Sequence, residues 1–183
     1  MKKIALALAC TALATPLVFA QAKNFEGLSL SASLANAKST IDTTGAASID
    51  GTSTGLDLNA QYNWALGQEF VLGVGVNMGT GSNKAGTSGT TDVVTKNRYA
   101  LEFTPGFAVS KDVLIYGKIA SLSATVDSGT NTDVSGIGYG LGVRGMVDKN
   151  TFWQVGYDSN KYDEKNSSTL KSTVFSLGIG YKF

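Results

Sequence analysis

Five charged residues, Glu69, Arg98, Glu102, Lys118 and Arg144, interrupt stretches that otherwise alternate between apolar and small polar side chains. Arg98 and Glu102 are four positions apart. On an extended chain rising about 3.3 Å per residue they share a face but stand roughly 13 Å apart. Neither touches the other, so each is expected to pair across strands with Lys118, Arg144 or Glu69, because buried charges without partners are too costly to keep. Such a set has two uses: a plug of ion pairs filling a narrow interior, which is the expected one, or a gate on a narrow path for ions.

Catalysis is disfavoured by composition. The chain has no histidine, so a serine nucleophile lacks its usual base and an Asp-His pair cannot form. The carboxylates Asp42, Asp50, Asp92, Asp127, Asp133, Asp163 and Glu164 are scattered among Ser and Thr, where solvation is their expected role. No D-x-D-x-D-G spacing marks a calcium loop, and no metal or other cofactor is expected. Gly140-Leu-Gly142-Val-Arg-Gly145 satisfies G-x-G-x-x-G, but that fingerprint needs a following helix, and here an alternating strand runs through it. These glycines read as interior spacers. Asn166-Ser167-Ser168 matches the N-x-[ST] glycosylation triplet and marks only an exposed loop.

Chemistry of this kind needs elements to position it. Lys2 and Lys3, the apolar run Ile4 to Ala14 of 11 residues and the small residues up to Ala20-Gln21-Ala22 read as a secretory signal peptide over residues 1–22. Cleavage is expected after Ala22 or after Ala20. The run is too short for a transmembrane helix, which needs about 20 apolar residues, and no later stretch approaches that length. The only cysteine, Cys10, lies inside this leader, which leaves the mature chain without a thiol. Without Lys2 and Lys3, 13 basic residues face 14 acidic ones, so no basic footprint for nucleic acid is present.

Beyond the leader, residues 23–183 alternate with period 2, the signature of strands with one apolar and one polar face. Leu56, Leu58, Ala60, Tyr62 and Trp64 oppose Asp57, Asn59, Gln61 and Asn63. Similar rows recur at Leu28 to Leu34, Phe70 to Met78, Tyr99 to Phe107, Ile137 to Val143, Trp153 to Tyr157 and Phe175 to Phe183. Around Val113 to Thr125 both faces offer apolar residues. A cation facing lipid in mid-strand costs about 2 to 4 kcal/mol, so Lys118 is placed inside and Ile115 and Ile119 outside. Eight strands result.

Three connections are short, Ala65 to Gln68, Ala108 to Asp112 and Asp148 to Asn150, as hairpin turns require. Four are expected to be long polar loops: Asn36 to Thr54, Gly79 to Val93, Val126 to Ser135 and Ser159 to Lys171. This asymmetry fits an up-and-down transmembrane barrel better than a soluble sandwich. Trp64, Phe70, Phe107, Trp153 and Phe183 collect at the short-turn ends, matching the aromatic girdle of a membrane interface. The expected fold is therefore all-β, an eight-stranded antiparallel up-and-down transmembrane β-barrel.

The terminal pattern Phe175-x-Leu177-x-Ile179-x-Tyr181-x-Phe183 resembles the closing strand of Gram-negative outer-membrane proteins. With the leader and the strand count, the whole mature chain resembles the small OmpA/OmpX-like barrels, of the porin-like outer-membrane type. The resemblance implies outer-membrane lipid as surroundings, recognition of the closing strand by the barrel-assembly machinery, and an extracellular ligand met by the loops. Barrel enzymes of that membrane rely on histidine, from which this chain departs. OmpA continues into a peptidoglycan-binding domain; this sequence stops at Phe183, so cell-wall anchoring is not expected. The alternatives to a closed structural or interaction barrel are a narrow passive channel and a barrel that binds a hydrophobic ligand.

Overall fold

The computed structural model describes residues 22–43, 47–88, 91–163 and 168–183. Residues 1–21, with Cys10 and nearly all of the expected leader, lie outside these, as do Glu164 and the Asn166-Ser167 part of the glycosylation triplet. Among the described residues no helix is long and apolar enough to cross a membrane.

After a 3-10 turn at Ala22–Phe25, the chain forms β1 (Gly27–Thr43), β2 (Ile49–Leu66), β3 (Phe70–Thr80), β4 (Asn83–Ser88), β5 (Thr91–Ala108), β6 (Val113–Asp127), β7 (Asn131–Met146), β8 (Thr151–Tyr162) and β9 (Ser168–Lys182). Every neighbouring pair is antiparallel, and the terminal strands β1 and β9 pair with each other. The ring closes between β3 and β5, from Phe70 opposite Phe107 to Gly79 opposite Arg98. The result is an eight-stranded barrel with one extra strand. Along residues 70–79 opposite 98–107, closure leaves no open sheet edge between β3 and β5, which is what a backbone in lipid demands.

The extra strand β4 replaces the upper end of β3. The chain breaks step at Gly81, whose positive φ of 76° suits glycine. It then resumes along the same neighbour, with Asn83 opposite Thr95.

Alternation decides which residues face out. Leu34, Val76, Leu101, Leu141, Leu177 and Ile179 are exposed on the outer wall, while Ser29, Ser31, Ser33, Gln61, Asn63 and Thr104 are buried in the lumen. Ile115 and Ile119 face out and Leu114, Tyr116, Lys118, Ala120 and Leu122 face in. The aromatics Trp64, Phe70, Trp153 and Phe183 project outward near the short turns, with Phe107 half-buried against Phe70 at 5.3 Å between ring centroids. A second outward row, Tyr99, Tyr139, Tyr157 and Phe175, lies further up the wall. On β5 and β9 the two rows are eight residues apart, roughly 26 Å along a strand. At the usual tilt this is close to the height of a lipid-facing band.

The four long loops are corrected. Most of their residues continue the ladder: Asn36 pairs with Thr54 and Ile41 with Ile49, Val94 with Asp127, Asn131 with Asp127, and Tyr162 with Gly136. Polar composition marks where the bilayer stops requiring an apolar outer face, whereas Thr and Ser, paired across strands, remain good strand formers. Cross-strand hydrogen bonds such as Thr40 to Asp50 at 2.6 Å and Thr43 to Ser168 at 2.9 Å hold these extensions.

Candidate functional site: the barrel lumen

The centre of the lumen is a three-residue bridge. Lys118 Nζ lies 3.3 Å from Glu102 Oε1 and 3.1 Å from Asp158 Oδ2. All three side chains are at most 16% exposed, and Glu102 also accepts a 2.9 Å hydrogen bond from Asn59 Nδ2. The bridge depends on what β7 lacks. Gly140 is the register partner of Lys118 on one side and of Asp158 on the other, so the ammonium crosses a whole strand to reach its carboxylate. A Cβ on Gly140 would run into Asp158 Oδ1, and one on Gly142 would run into the Tyr116 ring.

A second pair lies further from the short turns. Arg98 Nη2 donates to Asp57 Oδ1 at 3.1 Å. The Asn83 amide, oriented with its oxygen toward the guanidinium, accepts from Nη1 at 3.0 Å and Nη2 at 3.2 Å, which ties β4 to the barrel interior.

Two of the five charges anticipated for this network stand apart from it. Glu69 is a correction: it belongs to the turn that precedes β3, and among the described residues it forms no ion pair. Alternation carries its parity into the lumen row, but the strand begins only at Phe70. Arg144 is inside and 4% exposed, yet it has no carboxylate partner among the described residues. It donates to Gln154 Oε1 at 3.1 Å and lies over the Phe152 ring at 4.3 Å from the centroid, a cation–π contact in place of an ion pair. Conversely, Asp57 and Asp158 belong to the lumen set although the sequence reading does not single them out. Both sit on polar rows of their strands, and that parity was the available signal.

Two cavities of about 60 and 30 Å³ flank the bridge, and both are lined by Glu102, Lys118 and Asp158. Each has room for a few waters. Toward the short turns, Phe25 and Ala22, both 1% exposed, pack on Val71, Ala108 and Leu114 inside the mouth. The turn is pinned by Ala22 N–H to Gln68 O at 2.9 Å and Asn24 Nδ2 to Lys111 O at 2.8 Å. At the opposite end the interior changes character, with Ile41, Ile49, Val93, Val126, Val134 and Leu170 lining an apolar cavity of about 260 Å³.

A closed antiparallel barrel with an apolar band outside and a charged, glycine-relieved interior defines a small transmembrane barrel. Residues 5–183 match the model of the outer membrane protein beta-barrel domain, and the chain belongs to that family; the protein resides in the outer membrane. Among solved structures it is similar to Neisserial surface protein A, with 21% identity over 86% of this chain and 98% of the other and a TM-score of 0.57. It is likewise similar to Ail, the attachment invasion locus protein of Yersinia pestis (20% identity, 86% and 99% covered, TM-score 0.55). OprG from Pseudomonas aeruginosa follows at 15% identity, 86% and 96% covered, TM-score 0.53. These likenesses speak for the fold. No curated protein sequence matched.

Proposed function

We propose that this is a non-enzymatic outer-membrane barrel whose lumen is closed by side chains and whose protruding hairpins meet the surroundings, serving envelope integrity or surface interaction. The observation that carries the reading is the Lys118 bridge to Glu102 and Asp158, flanked directly by cavities of only about 60 and 30 Å³. An eight-stranded interior is just wide enough for side chains, and the periplasmic mouth is further obstructed by Phe25. The absence of histidine supports a role other than catalysis. Conductance in planar bilayers tests the plug. The wild type is expected to remain closed and Glu102→Ala to admit small ions, whereas a stable large pore in the wild type overturns it. Deletion of the gene, read out as detergent sensitivity, adhesion and small-solute uptake, separates an envelope role, a surface contact and a channel.

Residues 1–22 serve, in this reading, as the export signal. The burial of Ala22 and its hydrogen bond to Gln68 favour cleavage after Ala20, which keeps Ala22 in the mature chain. The outward row Phe175, Leu177, Ile179, Tyr181 and Phe183 is the surface offered to the assembly machinery, and Trp64, Phe70, Phe107 and Trp153 anchor the periplasmic interface. The apolar cavity at the outer mouth favours a second reading, a site for a small hydrophobic ligand above the closed part of the lumen.

A further inference from the structure

The cavity at the outer mouth combines two features whose conjunction narrows what it accepts. Its aliphatic wall comes from six different strands and its remaining polar lining is hydroxyl groups and a single carboxylate, Asp163. A cavity of about 150 Å³ lined by Leu, Ile and Phe takes up benzene, so about 260 Å³ suits a benzene-sized body carrying a short substituent.

Asp163 differs from three other carboxylates of the hairpins. Asp42, Asp92 and Asp127 each pair with a lysine, respectively Lys171 at 2.8 Å, Lys84 at 2.7 Å and Lys96 at 2.6 Å. Asp163 has no such partner among the described residues. It is held by β7, its N–H donating to Ser135 O at 2.7 Å and its Oδ2 accepting from Ser135 Oγ at 3.2 Å. The carboxylate is therefore held at the exposed rim of an apolar cup, with no cation paired to it among the described residues.

Building on the hydrophobic-ligand reading above, we propose that the cup binds a small hydrophobic cation, a primary amine on a ring or short alkyl body, with the body among Val93, Val126, Val134 and Leu170 and the ammonium at Asp163. The site is independent of the Lys118 bridge and needs no passage through the lumen.

The test uses the purified barrel in phosphatidylcholine nanodiscs, free of detergent that would fill the cup, titrated at neutral pH with benzylamine, benzyl alcohol and benzoate. Calorimetry and ligand-observed NMR report binding. Benzylamine is expected to bind saturably and more tightly than benzyl alcohol, with benzoate the weakest. Asp163→Asn is expected to weaken benzylamine about fivefold, the upper range for an accessible ion pair, and to leave benzyl alcohol within about twofold. Val134→Phe, which fills the cup, is expected to abolish both. Val126→Phe is the second occluding variant, and the heat-dependent shift in gel mobility confirms that each barrel is folded. Equal binding of amine and alcohol, unaffected by Asp163→Asn, overturns the cation preference and leaves an apolar site. Saturable binding by none of the probes overturns the site itself, as does amine binding that survives both occluding variants.

Discussion

Lys118 and Asp158 lie on β6 and β8, two strands that never pair, yet their charged atoms meet at 3.1 Å above Gly140, the residue of β7 that faces both. A side chain at that one position would separate them. Gly140→Ala places a methyl group against Asp158 Oδ1 and 3.0 Å from the Tyr157 carbonyl. The substitution is expected to lower stability by about 1 to 3 kcal/mol, the usual cost of overpacking, measured as a shift of the urea midpoint in lipid vesicles.

Removing the cation is more severe. Lys118→Met leaves Glu102 and Asp158 in the lumen without their shared counter-charge. A loss of about 3 to 5 kcal/mol is expected, the range for breaking a buried pair from one side. Adding Glu102→Gln and Asp158→Asn to Lys118→Met is expected to restore part of it in the same urea series, because the stranded charges go with their partner.

Phe25 is the largest side chain of the periplasmic obstruction and is almost fully buried. Phe25→Ala is expected to cost about 3 to 5 kcal/mol by leaving a cavity against Val71 and Leu114. Amide exchange near Gln68 and Lys111, whose carbonyls hold the turn, is expected to rise while exchange in the Lys118 region stays unchanged.

Above the bilayer, a hydrogen bond from Lys171 and a second from Ser48 hold the Asp42 carboxyl below its ordinary 3.8. A carboxylate with a depressed folded-state pKa contributes stability that is present above the unfolded value and lost as pH falls through the folded one. The amide protection of the β1–β9 extension is thus expected to hold from neutral pH down to about 4 and to weaken modestly below, as an exposed ion pair allows. Lys171→Met is expected to move the Asp42 titration, followed by carboxyl carbon NMR, upward.

Phe183 projects outward, meets Tyr181 edge to face at 5.1 Å between centroids, and donates its backbone N–H to Leu28 O at 2.8 Å. Its backbone bond is independent of the ring. Phe183→Ala is therefore expected to leave refolding into lipid vesicles within about twofold of the wild type. In cells it is expected to lower the amount of protease-resistant, membrane-assembled barrel severalfold. An equal loss in both settings would assign the ring to stability and not to assembly.

The wall was legible and the lumen only partly so, for a physical reason. Lipid demands an apolar side chain at every second position, so Leu28 to Leu34 or Phe175 to Phe183 declare both strand and face. Alternation fixes a face, but a slip of two residues between strands preserves every inside and outside assignment. The meeting of Lys118, Gly140 and Asp158 is a matter of register and could not be read that way. The same limit left Arg144 with an expected ion partner where Gln154 and Phe152 stand. Beyond Leu34 the alternation fades because the bilayer ends, while β1 continues to Thr43. Composition there reports the solvent and not the hydrogen-bond ladder.

That continuing ladder bears on the thermodynamics of recognition. A partner approaching the described parts of the hairpins meets backbone already committed to strands, so association orders little of this protein. The heat-capacity change on binding should then follow the contact area alone, without the additional term that accompanies a segment folding onto its target.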